Sequence, residues 1–455
     1  AQVESLFNTI YDSKLDACVD NVKEEPLLSS RPVPGRVSAS KTNKKLGTTE
    51  WALSNGIKVI VKPTTFKEDQ VLLSGFAPGG YSLLKDEAVP SAMLAGSVLS
   101  QCGLGNFDAI QLGKILAGKN AHVSASIEDY QSTISASSSS KLEELETMFQ
   151  LIYLHFMSPR FEQKGYDNLM QQLRTVFGGR EKNPDFLFQK KLIGALYGNT
   201  IRRSAPDMAL LEKVSLDKIE KVYTERFANA QNFTFVVVGN VDVKELKPLV
   251  EYYLGSLPAG GKEYWRDDKV RTLGTNVNVV YDQKMEDPKT KVALGWGGKA
   301  VYNQENRINA TALSQILDLR CVEEVREEQG GTYGVGSSVS ITDKPTEQTM
   351  ALFVFDTDPA KADALIPIVE RIFHNLSQSI SATDVEKVKK HMLKSYEDAI
   401  RRNNYWISTL RNIEQTGVNM YIGYEKRVNA LTPESLQKAA QSYFSNPTTL
   451  RLIMR

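Results

Sequence analysis

The chain has 455 residues, of which 41% are hydrophobic and 24% charged, and its 55 lysines and arginines almost balance 54 aspartates and glutamates. This length predicts two domains, and the composition is that of a globular chain rather than a disordered or fibrous one. A net charge of +1 excludes a global field that recruits nucleic acid, and no apolar run reaches the roughly 20 residues of a membrane span.

Residues 1–46 are predicted to form an N-terminal helix followed by a linker. Stretch 26–45 contains three prolines and many serines without an apolar period, which is typical of a linker lying over a surface. The sequence starts without methionine, so residue 1 is expected to be a processing point or an excision from something longer, and the helix is interpreted as the end of an element. Its apolar residues have helical spacing: Val3, Leu6, Phe7, Ile10 and Tyr11.

Residues 47–260 are predicted to form a first α+β repeat. WALSNGIKVIVKP contains two β-rich runs broken by Asn55-Gly56, a dipeptide that suits a tight hairpin turn. In the helix that follows SSSS, Ser140 is predicted to be the N-cap, with Glu143 completing a capping box. A near-continuous apolar run, FTFVVVGNVD, then predicts a buried strand.

Residues 261–455 are predicted to form a second, homologous repeat. The helix KADALIPIVERIFHNL repeats the 3,4,3,4 apolar spacing of the earlier helix at an offset of 220 residues. Asp358 and Pro359 are its predicted N-cap and first-turn residues, and Pro367 is predicted to kink it. Each repeat therefore predicts an α+β fold with helices packed on a mostly antiparallel sheet.

The sequence lacks local motifs for metal, nucleotide or nucleophile chemistry. CGLGNF, at 102–107, is interpreted as a helix connection because no strand precedes it. The cysteines are far apart, and we expect reduced buried thiols at Cys18, Cys102 and Cys321. No pair of histidines has the spacing of a helical zinc site, since they stand at His122, His155, His374 and His391.

Three further patterns lead to structural predictions. The glycine pairs 79–80 and 297–298 are predicted to be turns at the ends of corresponding strands. In an alternative interpretation, SGFAP and LGWGG are edge strands able to accept an extended peptide. The aromatic residues of NNYW, at 403–406, are predicted to fill a core or a domain interface.

The segment VREEQGGTYGVG, residues 325–336, carries the candidate catalytic pair. RCVEEVREEQ predicts a helix with Arg326 in its last turns, Gly330 and Gly331 end it, and Tyr333 begins a strand. A helix that turns back through two glycines can bring a guanidinium and a phenol to the same side of a cleft.

Only the second repeat has this pair. Alignment of the repeats places Lys114 and Ala121 where the second copy has Arg326 and Tyr333. Duplicated domains share packing residues, so a polar pair found in one copy favours a role in function. A solvated helix arginine and a strand-edge tyrosine are the alternative interpretation.

Taken together, these motifs resemble the insulinase/pitrilysin family of zinc metallopeptidases, the inverzincins. The resemblance runs from about residue 47 to the end and rests on WALSNGIKV, FVVVGNVD and VREEQGGTYGVG. It implies four homologous α+β domains closing like a clamshell around a peptide, with this chain as the C-terminal half of a long-chain bacterial member. The active half carries H-x-x-E-H, whereas VPSAMLAGSVLSQ has Ser91 and Ala95 near the histidine places.

The resemblance therefore implies no cofactor in this chain and zinc in an N-terminal or partner half. It further implies that Arg326 and Tyr333, with Gly330 and Gly331, bind the substrate backbone and stabilise the developing oxyanion. The expected partners are the zinc-bearing half and a peptide, without nucleic acid, and the chain alone is expected to be inactive. The expected compartment is the bacterial periplasm or cell envelope.

Two alternatives remain open at this stage. Relatives of the fold serve as non-enzymatic scaffold subunits, and others are separate half-length subunits of heterodimeric peptidases. The Arg-Tyr spacing favours the peptidase, because a scaffold has no reason to keep an oxyanion clamp. The apparent preceding helix argues against a separate subunit.

Overall fold

The computed structural model describes residues 25–327 and 332–455, which form two sheets with helices packed on both faces. The N-terminal helix predicted over residues 2–23, together with Cys18, lies outside this described part. So do Gly330 and Gly331.

Within the described residues, the first sheet has seven strands in the order β1-β2-β3-β7-β4-β6-β5. Only the neighbours β3 and β7 are parallel in this sheet, so it is mostly antiparallel as predicted. Its strands are β1 (Val37–Asn43), β2 (Thr48–Leu53), β3 (Lys58–Pro63), β4 (Val71–Pro78), β5 (Ala121–Ile127), β6 (Gln131–Ser138) and β7 (Thr234–Gly239).

The second sheet has five strands in the order β10-β11-β9-β12-β8, counted over the same described ranges. Here only β8 and β12 are parallel. The strands are β8 (Val277–Tyr281), β9 (Thr290–Gly298), β10 (Thr332–Thr342), β11 (Gln348–Thr357) and β12 (Thr448–Met454).

Helices pack their apolar sides against these sheets. Those that precede the second sheet are α1 (Val89–Cys102), α2 (Ala109–Ile115), α3 (Leu142–Met157), α4 (Gln163–Arg180), α5 (Pro184–Tyr197), α6 (Met208–Leu211), α7 (Leu216–Phe227) and α8 (Val243–Tyr253). The later ones are α9 (Gln304–Arg320), a π-helix (Cys321–Glu327), α10 (Ala362–Gln378), α11 (Ala382–Ala399), α12 (Asn403–Thr416), α13 (Tyr424–Asn429) and α14 (Pro433–Tyr443).

The predicted hairpin at Asn55-Gly56 is confirmed. Strands β2 and β3 are antiparallel, with Trp51 opposite Val59, and Gly56 has a φ of 90°. That left-handed conformation costs glycine nothing, whereas a side chain would be strained. The hairpin therefore fixes the register at the start of the first sheet.

Both helix caps predicted from sequence are wrong. Helix α3 begins at Leu142 after Lys141, and the hydroxyl of Ser140 donates to the backbone oxygen of Glu68 at 2.8 Å. Helix α10 begins at Ala362, and Asp358 accepts from the Ala360 amide in the preceding turn. In both cases the polar side chain stabilises the loop before the helix rather than the helix start.

The two predicted edge strands are also wrong, because both are interior. Strand β4 lies between β7 and β6, and β9 lies between β11 and β12. Part of the predicted linker is an edge instead, since β1 pairs with β2 along residues 37–43. Strands β5 and β10 form the far edges of the two sheets.

The two glycine pairs have different roles. Gly79 and Gly80 have φ values of 127° and 57°, which confirms a turn that needs glycine. Gly298 instead lies at the end of β9, where a Cβ atom would stand 1.8 Å from the backbone oxygen of Tyr443. The second pair therefore allows close backbone approach, and the predicted turn is wrong there.

Each sheet has one face covered by a helix from the other repeat. Helix α12 places Trp406 and Leu410 against the first sheet, and α5 places Phe188 and Leu196 against the second. This confirms that the aromatic residues of NNYW lie at an interface. The boundaries 47–260 and 261–455 stay a prediction, since the packing crosses them in both directions.

Candidate functional site

The elements predicted to carry the Arg-Tyr pair are adjacent in the structure. Helix α9 continues into the π-helix that contains Arg326, and Tyr333 is the second residue of β10. The π-helix and β10 pack against each other. The fold thus brings the two backbone positions to one corner of the second sheet.

Strand β10 starts with an irregular register at the candidate tyrosine. Thr332 lies opposite Thr357 and Val335 opposite Phe355, so one extra residue is inserted in β10 around Tyr333. Such a bulge breaks the regular alternation of side chains and is common at sheet edges beside functional sites. Because β10 is an edge strand, its outer backbone groups face away from the sheet.

Buried side chains and ion pairs to two neighbouring helices hold the π-helix and the turn before it in place. Cys321 and Val325 are fully buried, and Glu324 forms an ion pair of 2.9 Å with Arg371 of α10. One turn earlier, Arg320 pairs at 2.7 Å with Asp384, a buried residue of α11. These contacts fix the base of the segment that carries Arg326.

The two described cysteines are inert thiols in the core. Burial raises the pKa of Cys321 to about 12 and also raises the pKa of Cys102. A thiol with a raised pKa stays protonated at neutral pH and is a poor nucleophile. The prediction of buried reduced thiols is confirmed at these two positions.

The first repeat has the same element order at the matching place. Lys114 lies in α2, and Ala121 is the first residue of the edge strand β5. Ala121 is 1% exposed, so it contributes to the core rather than to a cleft. The two repeats therefore match in architecture, while the chemistry at these positions differs.

Helix α1 does not fit a zinc ion at the positions that the resemblance singles out. Ser91 and Ala95 are fully buried, and the Ser91 hydroxyl accepts from the amide of Ser215 at 3.3 Å. Over residues 25–327 and 332–455, no group of three histidine, cysteine, aspartate or glutamate residues could hold a metal ion. The described part of the chain therefore offers no set of ligand residues for a zinc ion.

One histidine is buried rather than available as a ligand. His155 of α3 is 5% exposed, and its Nδ1 atom lies 3.3 Å from the hydroxyl of Tyr223. That hydroxyl donates to the backbone oxygen of His155 at 3.1 Å. Burial lowers the pKa of His155 to about 4, so the imidazole is neutral at pH 7.

Sequence reasoning missed a pocket of about 370 Å³ between α12 and the first sheet. Its lining includes Arg411 of α12 and Ser74 of β4, which are more than 300 positions apart in the chain. No local spacing could have connected them. The signal that existed was weaker: the run of serines in β5 and β6, which is unusual for strands.

None of the helices in the described part of the chain is both long and apolar enough to cross a membrane.

Comparison with known proteins identifies the family to which these features correspond. A family profile described as the peptidase M16 inactive domain matches residues 213–392. A zinc protease PQQL-like protein of Arabidopsis thaliana is 25% identical, over 98% of this chain and 47% of its own length. A probable zinc protease PqqL of Escherichia coli is 21% identical, over 90% of this chain and 44% of its own length.

A solved structure agrees with these sequence matches. The periplasmic protease PqqL from Escherichia coli superposes with a TM-score of 0.84 at 19% identity, over 99% of this chain and 50% of that one. At this identity the likeness establishes the fold. The chain spans about half the length of the curated relatives described above.

Proposed function

This chain belongs to the peptidase M16 family, and from that premise we propose that it is the half of a zinc metalloendopeptidase that binds no zinc itself. In this role it contributes peptide binding and oxyanion stabilisation to a zinc site in an N-terminal or partner half. The observation that carries the proposal is the contrast between α1 and β10. Helix α1 contains no histidine or glutamate, while Tyr333 stands at a bulged edge strand beside the helix of Arg326.

The proposed contribution of the pair is electrostatic. When a peptide carbonyl is attacked, negative charge develops on its oxygen, and donors that are already oriented stabilise that charge. The guanidinium of Arg326 and the hydroxyl of Tyr333 are hydrogen-bond donors, and we propose that they take this role. The anchored π-helix supports this role, since a fixed support limits the reorganisation needed at the moment of reaction.

The edge strand supports the peptide-binding part of the proposal. An extended peptide adds to an exposed sheet edge through main-chain hydrogen bonds, and β10 has such an edge. Gly330 and Gly331, between the π-helix and β10 in sequence, are proposed to let the substrate backbone approach closely. The strands that were predicted to be edges are interior, but β10 gives the second sheet an edge beside the backbone positions of Arg326 and Tyr333.

The test is peptidase activity on a quenched, unstructured peptide with added zinc. We expect no activity from the chain alone and activity when it is joined to, or mixed with, the zinc-bearing half. Arg326→Ala and Tyr333→Phe are each expected to lower kcat by a factor of about 100–1,000, the effect of one lost oxyanion donor.

Two exposed residues of the same types serve as controls. Arg401, in the turn after α11, forms an ion pair with the exposed Glu397, and Tyr264 is 71% exposed. Arg401→Ala and Tyr264→Phe should leave kcat unchanged. Activity of the isolated chain would reveal a metal site in it, and inactivity of every combination would favour the non-enzymatic scaffold.

The compartment proposed for the protein is the periplasm or cell envelope. The support is the Escherichia coli protease PqqL, which is described as periplasmic. Cell fractionation of the native host decides this, and recovery of the protein with cytosolic markers would refute it.

A further inference from the structure

The two sheets share a strand order but differ at one edge. The order β3-β7-β4-β6-β5 of the first sheet matches β8-β12-β9-β11-β10 of the second, and the first pair is parallel in both. In the first sheet, β2 pairs antiparallel with the other side of β3. Among the described residues no strand pairs with the other side of β8. The second repeat therefore has an open edge where the first repeat has a hairpin.

The pairing of β8 with β12 shows which backbone groups face this open edge. The backbone oxygen of Tyr281 accepts from the amide of Arg455 at 2.9 Å, and the amide of Gln283 donates to the oxygen of Arg455 at 2.7 Å. Successive residues of a strand direct these groups to opposite sides. The N–H and C=O groups of Asn278 and Val280 therefore face outward, away from β12.

Strand β8 lacks the usual protection of an exposed edge. Edge strands commonly carry charged side chains or proline, which discourage pairing with another chain. The sequence of β8, VNVVY, contains neither, and Val280 is 50% exposed. The strand is thus suited to pairing with an added strand.

A pocket of about 960 Å³ lies along the same strand, between β8 and α5. Its lining includes Val277 and Val279 of β8 and Leu452 of β12. Side chains of a strand alternate between the two faces of a sheet. Every second side chain of a strand added to β8 would therefore point to the face on which this pocket lies.

The pocket is positively charged. Its lining contains no carboxylate within the described ranges and four cationic side chains, which are Lys190, Lys191, Lys269 and Arg271. Lys269 and Arg271 share the carboxylate of Asp267, at 3.2 and 2.8 Å, and Lys190 pairs with Asp207. Four cations thus face two carboxylates, and both carboxylates lie outside the lining.

Lys191 is the lining cation without an ion pair among the described residues. Its side chain is exposed, and its Nζ atom lies 4.5 Å from the ring centroid of Tyr281. The exposed Asp282, which follows β8, does not line the pocket. A concave site lined by charges of one sign attracts ligands of the opposite sign.

From the open edge and the charge beside it, we propose that β8 is a docking site for an extended, acidic peptide segment of a partner protein. The segment adds to β8 as an antiparallel strand, as β2 does to β3, through main-chain hydrogen bonds. Carboxylates at alternate positions enter the pocket beside Lys191. The side chains between them lie on the other face, beside Val280, because directly opposed residues share a face.

This site is separate from the proposed catalytic corner. Strand β8 is at the opposite end of the second sheet from β10, and docking there requires neither zinc nor the Arg-Tyr pair. The inference therefore goes beyond the proposed function and does not depend on it. Charge argues against a second copy of this chain as the occupant, since two paired β8 edges would bring two positively charged pockets together.

The experiment measures binding to the chain by fluorescence anisotropy. The ligand is a labelled peptide of strand length in which glutamate alternates with valine, and the comparison peptide has lysine in place of glutamate. We expect saturable binding of the acidic peptide, which added salt weakens, and at least about tenfold weaker binding of the lysine peptide. Equal binding of the two peptides, or no binding of the acidic one, would overturn the proposal.

N-methylated peptides test the main-chain pairing on the wild-type chain. An added strand bonds to its neighbour through alternate residues only. With the glutamates in the pocket, the N–H groups of the valines face β8 and those of the glutamates face away. Methylation of the valine nitrogens should abolish binding, whereas methylation of the glutamate nitrogens should preserve it. Equal effects of the two methylation patterns would show that the peptide does not add as this strand.

A pair of substitutions at Val280 tests the same contact from the side of the protein. Val280→Pro removes an outward-facing N–H group while leaving the pairing with β12, since proline is tolerated where an edge N–H faces solvent. It should abolish binding of the acidic peptide. Val280→Thr keeps the N–H group and the branched side chain and should bind like the wild type. Thermal unfolding checks the fold of both variants, and wild-type affinity in a folded Val280→Pro would contradict the proposal.

A charge reversal tests the pocket. Lys191→Glu should weaken binding of the acidic peptide by roughly tenfold, because an attraction becomes a repulsion. Lys164→Glu, an exposed lysine of α4 outside the pocket, is the matched control and should bind like the wild type. If both changes weaken binding equally, the effect comes from the net charge of the chain and the pocket assignment is wrong.

Two further outcomes would assign the edge to another occupant and overturn the proposal. Self-association of the wild-type chain that is lost in Val280→Pro, measured by analytical ultracentrifugation, would assign it to a second copy. Loss of peptide binding when the chain is joined to the zinc-bearing half would assign it to the contact between the halves.

Discussion

At the scale of single residues, burial decides what the polar side chains of this protein can do. His155 is one of the four histidines, and the structure places it inside the core beside Tyr223. Cys321 is equally buried and remains protonated. By contrast, the buried hydroxyl of Ser74 has no hydrogen-bond partner in the described part of the fold, and burial lowers the pKa of Arg411.

His155 gives a first prediction at this scale, a pH dependence of stability. The unfolded imidazole titrates near 6.5, and burial lowers the folded pKa to about 4. Between these values the unfolded chain binds more protons, so the free energy of unfolding falls as the pH drops from about 6.5 to 4. The loss is on the order of 3 kcal/mol.

Urea unfolding of the wild type and His155→Asn at pH 7, 6, 5 and 4 measures this effect. The variant should show a smaller loss of stability over the same pH range. Carboxylates titrate in both proteins, so the difference between them isolates the imidazole. Parallel curves for the two proteins would contradict the assignment.

Two helical glycines give a second prediction, since they have the same propensity but different surroundings. A Cβ atom at Gly96 in α1 would stand 1.9 Å from the backbone oxygen of Ala125, whereas one at Gly113 in α2 would meet nothing within 4 Å. Gly96→Ala should therefore destabilise by about 1–3 kcal/mol. Gly113→Ala should stabilise by about 0.5–1 kcal/mol. Denaturant midpoints compare them, and similar signs would refute the close approach.

At the scale of elements, the position of α12 is set by polar contacts at its first turn as well as by Trp406. The Thr64 hydroxyl donates to Oδ1 of Asn403 at 2.6 Å, and the amide of Asn403 donates to Gln70 at 3.1 Å. Both partners belong to the first repeat, next to β3 and β4. The helix is thus attached across the repeats by buried hydrogen bonds.

This contact gives the prediction for the element. Asn403→Ala leaves the Thr64 hydroxyl buried without its partner and should cost about 1–3 kcal/mol of unfolding free energy. Asn404→Ala, the exposed neighbour, should change stability by less than about 0.5 kcal/mol. In a double-mutant cycle, Thr64→Val with Asn403→Ala should cost less than the sum of the single changes. Strict additivity would mean that the two side chains do not interact.

At the scale of the whole molecule, reciprocal packing joins the two sheets. Helix α12 covers the outer face of the first sheet, and α5 covers that of the second. Removing α12 would expose Ile60, Phe76 and Val236 to water. We therefore expect the chain to unfold in one cooperative transition despite its length.

Fragments test this expectation together with the predicted domain boundaries. Fragments 47–260 and 261–455, produced separately, should be less stable than the whole chain and bind a hydrophobic dye, because each lacks the helix that covers its sheet. Mixing them in equal amounts should restore much of the stability and release the dye. If each fragment alone melts at the temperature of the whole chain, the reciprocal helices add little.

The sequence by itself determined the local elements and much of the chemistry. Apolar periodicity identified α3 and α10, Asn55-Gly56 identified the first hairpin, and the spacing of Arg326 and Tyr333 placed them at a helix end and a strand start. The same reading showed that α1 carries no histidine or glutamate. These features depend on residues within a few positions of one another, where backbone geometry sets the spacing.

Only the tertiary structure decided the features that join distant residues. In the structure, β4 and β9 are interior strands, and Ser140 bonds to a loop instead of capping a helix. Helices α5 and α12 each pack on the sheet of the other repeat. It also brought Ser74 and Arg411 to one pocket. Strand order and burial depend on long-range pairing, which neither periodicity nor propensity encodes, because many pairings bury the same apolar faces.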